Sequence, residues 1–245
     1  MQFIDDFNET HMLFSKPVHF IMFEDDKRTI IHEFDMKLPT FEIFYFNNLF
    51  RQFVSLIHAP ISDLQEQFVF IQGFTSHYQL INGLVMLKNV EIQKYLTQIK
   101  QAFQLLGVNL QLGTDAHPGL ILIDDVIINE ELFTRIVRII LISLALKKQS
   151  DFVDDPQMRA YQEKIDRIKR KNKPIQNSEQ GDFKDAFMIL TYEFGYKPEE
   201  ILHMTQYAIN MILGYTSKSI RYKLSLIAAG NGNMKKVKFI TEKGK

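Results

Sequence analysis

Cysteine and tryptophan are both missing from this 245-residue chain. Without cysteine it can form no disulfide, no zinc–thiolate site and no thiol nucleophile. Net charge is missing too, because 29 Lys and Arg balance 29 Asp and Glu. A secretory leader is not expected: 1–14 carries Asp5, Asp6 and Glu9 instead of a basic start and an apolar run. No long hydrophobic run occurs either. The longest apolar stretches, Gly119–Ile123 and Ile136–Leu146, are too short or too interrupted to span a bilayer. No P-loop, dinucleotide-binding, nucleophile-elbow or His-Glu-x-x-His pattern is found. What is present is an ordinary globular composition, 46% hydrophobic and 24% charged, with a core built on 21 phenylalanines.

The zero charge conceals a gradient. Residues 1–60 hold five basic and nine acidic residues, 61–150 seven and eight, and 151–245 seventeen and twelve. The two ends are therefore −4 and +5. Such a split suits either a basic surface for an acidic partner or a solvated helical face.

Periodicity gives the layout. Pro17–Phe23 and Arg28–Phe34 flank a charged loop and read as a β-hairpin. The spacing of Phe41, Phe44, Tyr45, Leu49, Phe53 and Leu56 predicts one helix over 41–58, with Thr40 as its cap, although 41–46 also suits a strand. Segments 63–71 and 76–86 fit helix or strand equally. Glu91–Leu106 is an amphipathic helix stopped by Gly107. Leu110–Leu112 and Leu120–Ile128 read as strands. Asn129 caps a helix expected to reach Leu146, with Glu130 and Glu131 in its positive first turn.

Beyond 150 the chain reads as helical. Asp155-Pro156 opens a polar helix over 156–171 whose narrow apolar stripe is Met158, Tyr161, Ile165 and Ile168. A polar linker over 173–181 leads to a helix, Asp182–Phe194, closed by Gly195. Pro198-Glu199-Glu200 opens a short helix, and Thr205 can cap another over 206–213. The expected fold class is therefore α+β: a small N-terminal sheet with packed helices in 1–150, a linker with a charged helix in 151–181, and a mainly α-helical module in 182–245.

Few residues offer chemistry. Gly113-Thr114-Asp115-Ala116-His117 looks like a stretch of the polymerase and histidinol phosphatase type metallo-phosphoesterases. Those sites gather many His and acidic ligands around two or three metals, and the His-x-His that accompanies them has no counterpart in this chain. The bland alternative for Asp115 and His117 is a surface turn. His19 and His32 could face each other across the predicted hairpin, as a rim pair or, less simply, as metal ligands. Asp124 and Asp125 would point to opposite faces of a strand and mark its turn or exit. The run of Lys164, Arg167, Lys169, Arg170, Lys171 and Lys173 could meet phosphates or be a solvated arm. Leu202, Tyr207, Met211, Ile212, Tyr215 and Tyr222 form a Met- and Tyr-rich stripe suited to a core or to a partner groove.

One further pattern runs along the C-terminal part. A charged helix (Tyr161–Lys171) and a polar gap precede Gly195-Tyr196-Lys197-Pro198-Glu199-Glu200-Ile201-Leu202-His203-Met204-Thr205, which leads into an apolar helix. This arrangement, over roughly 120–230, resembles tail-assembly chaperones and related morphogenesis proteins of tailed bacteriophages of Gram-positive hosts. The resemblance implies a non-enzymatic virion-assembly protein in the host cytoplasm or the virion, with no catalytic residue, no metal and no cofactor. Its partners would be tail proteins such as a tape-measure protein, with homo-oligomers a further option and neither nucleic acid nor a membrane expected. The contact residues expected on that reading are Leu202, Tyr207, Met211 and Tyr215, with Lys164, Arg167 and Lys171 of the basic helix. The alternatives are a nucleic-acid-binding accessory protein using 164–173 and a metal-dependent phosphoesterase using Asp115 and His117.

Overall fold

A computed structural model describes residues 1–24, 29–67, 73–87, 90–113, 120–146 and 179–215. The fold is α+β. The first sheet is antiparallel, in the order β1 (Gln2–Asp5), β2 (Val18–Phe23), β3 (Ile30–Met36). Its inner face is set by strict alternation: Val18, Phe20 and Met22 are buried while His19, Ile21 and Phe23 are not. Phe20 pairs with Phe34 across the hairpin, and their rings stack at 4.9 Å. Between β1 and β2 runs α1 (Glu9–Phe14), capped by the Asn8 side chain.

The inner face meets a helical layer. It comprises α2 (Phe41–Phe46), α3 (Asn48–His58), α4 (Ile61–Gln67), α5 (His77–Met86), α6 (Val90–Leu105) and α7 (Glu130–Ser143). Phenylalanine does fill the centre. Phe103 of α6 lies 5.3 Å from Phe53 of α3 and 6.2 Å from Phe133 of α7, ring centre to ring centre. All three are almost fully buried, and each contributes about 1.5–3 kcal/mol by leaving water. β1 is fixed to α7 by a fork: Arg135 Nε donates to Asp5 Oδ2 at 2.7 Å and Nη2 to Oδ1 at 2.9 Å. The guanidinium also lies over the Phe7 ring at 5.6 Å.

A second antiparallel sheet, β4 (Leu110–Leu112), β5 (Ile121–Ile123), β6 (Val126–Ile127), follows α6. Gly107, at φ +78°, ends α6 as expected, because only an achiral residue enters the left-handed region freely.

Several expectations need correction. The helix over 41–58 is two helices. Asn47 adopts an extended conformation (φ −107°, ψ 103°) and its side chain accepts from Phe50 N–H, so it caps α3 and breaks the run. The strand over 120–128 is a hairpin. Asp124 and Asp125 have φ of 46° and 68°, joining Ile123 to Val126 in a two-residue turn with the positive φ angles of type I′. The pair therefore marks a turn, one of the readings its sequence allowed. The helix after Asn129 stops at Ser143, not Leu146. Ala145 turns left-handed (φ 54°) and Leu146 N–H bonds to Leu141 C=O at 3.0 Å, a Schellman closure. The two segments left open resolve as helix: 41–46 is α2 and 76–86 contains α5. Of 63–71, the described part to 67 belongs to α4.

Among the described C-terminal residues, 179–215, the chain forms α8 (Glu179–Phe194), α9 (Pro198–Leu202) and α10, described over 206–215. A separate small core joins Ala186, Leu190, Ile201 and Ile209 to Phe41 of α2.

Candidate functional site

The C-terminal helices are held to the N-terminal part by a short polar seam. Thr205 is fully buried. Its hydroxyl donates to Met12 C=O of α1 and accepts from Ala208 N–H at 3.1 Å, so one side chain caps α10 and docks it. Around it, Phe41 N–H donates to Met204 C=O at 2.7 Å, Ser15 Oγ to His203 C=O at 2.8 Å, and Tyr207 O–H to Glu9 Oε1 at 2.7 Å. That last bond, with part burial and the Glu9 charge, raises the Tyr207 pKa above its usual 10. The Thr205 cap was expected from sequence; its partner 193 residues away was not.

The expected contact residues separate on this scaffold. Tyr207, Met211 and Tyr215 share one side of α10, as spacing of four requires, and exposure rises along it to 68% at Tyr215. Leu202 belongs to α9 and packs, half-buried, against the small core with Ile212. Lys164, Arg167, Lys171 and Tyr222 lie outside the described residues, as do Asp115 and His117.

A second apolar surface escaped the sequence reading. α8 buries Ala186 and Leu190 on one side and exposes Met188, Ile189 and Tyr192 on the other, Tyr192 to 75%. At 100° per residue Met188 and Tyr192 lie opposite the buried pair and Ile189 flanks it. The signal was one wholly apolar turn: Phe187-Met188-Ile189-Leu190 leaves no face of this turn hydrophilic.

His19 and His32 do not face each other. The register pairs His19 with Asp35 and His32 with Met22, which places the two rings on opposite sheet faces. His19 Nδ1 lies 2.8 Å from Asp35 Oδ1 and its Nε2 3.8 Å from Glu33 Oε2. The hydrogen bond to Asp35 chiefly raises the His19 pKa above 6.5; desolvation opposes the rise, and the charges of Asp35, Glu33 and Asp6 add to it. His32 Nε2 instead reaches Asp124 Oδ2 at 3.2 Å, linking β3 to the second hairpin. Asp125 accepts from Gln111 Nε2 at 2.8 Å. Among the described residues no group of three or more His, Asp and Glu could hold a metal ion. No helix among them is long and apolar enough to cross a membrane.

Comparison with protein-family models, curated proteins and solved structures finds no match to this chain.

Proposed function

We propose that the chain is a non-enzymatic phage structural or tail-assembly protein that works through protein–protein contacts during virion morphogenesis. The observation that carries this reading is the outer side of α8. Met188, Ile189 and Tyr192 form an exposed apolar row on a helix whose other side is already buried. Burying such a row against a partner helix is favourable by about 25 cal/mol per Å² of apolar surface removed from water. Met and Tyr suit the task, since a flexible thioether and an amphipathic ring adapt to partners of varied shape. The resemblance to tail-assembly proteins adds the kind of partner, because its segment, Gly195–Thr205, begins directly after α8.

The mechanism is retention of an elongated or aggregation-prone tail protein, such as a tape-measure protein, in helix-to-helix contact. The exposed end of the α10 row at Tyr215 and the basic residues Lys164, Arg167 and Lys171 are further contact positions on this reading. It needs neither a cofactor nor a metal and takes place in the host cytoplasm or in the virion. Co-expression with the neighbouring tail genes, followed by affinity purification, tests it. A tail protein held in stoichiometric amount supports the reading, and purification of the chain alone from every pairing contradicts it.

A further inference from the structure

The outward face of the first sheet is ordered in rows. Pairing aligns Gln2, Phe23 and Ile30 in the first row, Ile4, Ile21 and Glu33 in the second, and Asp6, His19 and Asp35 in the third. Ile4, Ile30 and Ile31 are exposed, Ile4 to 56%, and Ile21 and Phe23 are half-buried. Asp6, Glu33 and Asp35 are exposed as well. One end of the face is thus apolar and the other acidic, with His19 the basic group set among the carboxylates. Sheets that keep one face to solvent ordinarily line it with polar side chains. Three aligned rows that begin with Phe23 and Ile30 and end in two carboxylates have the make-up of a docking surface for a basic, amphipathic segment.

Residues 158–171 are such a segment, with six Lys and Arg against Glu163 and Asp166. Met158, Tyr161, Ile165 and Ile168 recur at helical spacing, and Lys164, Arg167 and Lys171 interleave with them. Its apolar side chains match Ile4, Ile21 and Phe23, and its cations match Asp6, Glu33 and Asp35. The same complementarity appears at the scale of the chain, as −4 in 1–60 against +5 in 151–245. We infer that the outward face of the first sheet docks the 158–171 segment of a second copy of this chain. The two surfaces differ, so the contact is heterologous and builds a ring or an open row of subunits. It uses neither Met188, Ile189 nor Tyr192, but shares Lys164, Arg167 and Lys171 with the proposed tail-assembly contacts; charge reversal at the sheet, which that role does not use, separates the two.

Sedimentation velocity on the full chain tests the inference through a charge swap. Wild type associates in a concentration- and salt-dependent manner. Glu33→Lys/Asp35→Lys weakens association at least about tenfold, as reversing paired rim charges does, and Lys164→Glu/Arg167→Glu does the same. Mixing the two variants restores it, because each then offers a surface that complements the other. Ile4→Lys, at an exposed position, weakens association with no change in the circular dichroism melt. The inference is overturned by a wild type that stays monomeric at every concentration, or by reversal variants that associate like wild type. It is equally overturned if mixing the two reversal variants restores nothing.

Discussion

Thr205 offers the sharpest test of how the C-terminal helices are attached. Replacing it by Val keeps the shape and removes the hydroxyl. Two groups then lose their partner: Ala208 N–H at the start of α10 and Met12 C=O at the end of α1. Loss of an N-cap costs about 1 kcal/mol. Stranding a carbonyl beside a fully buried side chain costs about 1–3 kcal/mol more. Thr205→Val should therefore destabilise the protein by about 2–4 kcal/mol, a large part of the roughly 5–15 kcal/mol typical of a folded domain. Thr205→Ser retains both hydrogen bonds and loses one methyl group, at about 1 kcal/mol. Urea unfolding measures both. The midpoint falls in the order wild type, Ser, Val, with an unchanged slope as long as unfolding stays two-state. A Val variant within about 0.5 kcal/mol of wild type, the range of an uninvolved surface site, refutes the reasoning. So does a Val variant more stable than the Ser variant.

Other expectations follow from single contacts. Asp5 is almost fully buried beneath Arg135, its side chain 7% exposed, so Arg135→Met leaves its charge unpaired, with only the Phe7 N–H bond remaining, and costs about 3–5 kcal/mol; adding Asp5→Asn recovers part of the loss in the same unfolding assay. Ala145 closes α7 in a left-handed conformation; Ala145→Gly relieves that strain and stabilises by about 1 kcal/mol, a rise in Tm of about 2–4 °C for a chain of this size. His19 carries a raised pKa because its protonated ring is held by Asp35. Its contribution to stability is complete below 6.5, the unfolded value, and fades as pH rises through the higher folded value. Urea midpoints measured across that window should show the decline in wild type, and His19→Gln should flatten it.

The parts legible in the sequence were those decided within a few residues. Gly107 as a helix stop, Asn129 and Thr205 as caps, and Pro198-Glu199-Glu200 as a helix start depend on local backbone chemistry, and each stands where expected. What escaped was decided by distant packing. β1 is four residues long and exists because β2 pairs with it and Arg135 holds Asp5. Asn47 could have continued a helix; the break at 47 lets Phe41 face the small C-terminal core while Phe50 and Phe53 face the main one. The separation of His19 from His32 follows from a register that buries Phe20 and Phe34 together. At the candidate site, spacing alone aligned Tyr207, Met211 and Tyr215. The α8 surface was written in one wholly apolar turn, 187–190, a feature that attracts less notice than a motif.

The most direct test of the central proposal compares wild type with Ile189→Lys/Tyr192→Lys in co-purification with a neighbouring tail protein. Both side chains are exposed, so the variant should keep its melting temperature. The account predicts that wild type and the tail protein elute as one complex and that the variant elutes alone. A variant that holds the tail protein as well as wild type does, or a wild type that holds none, contradicts it.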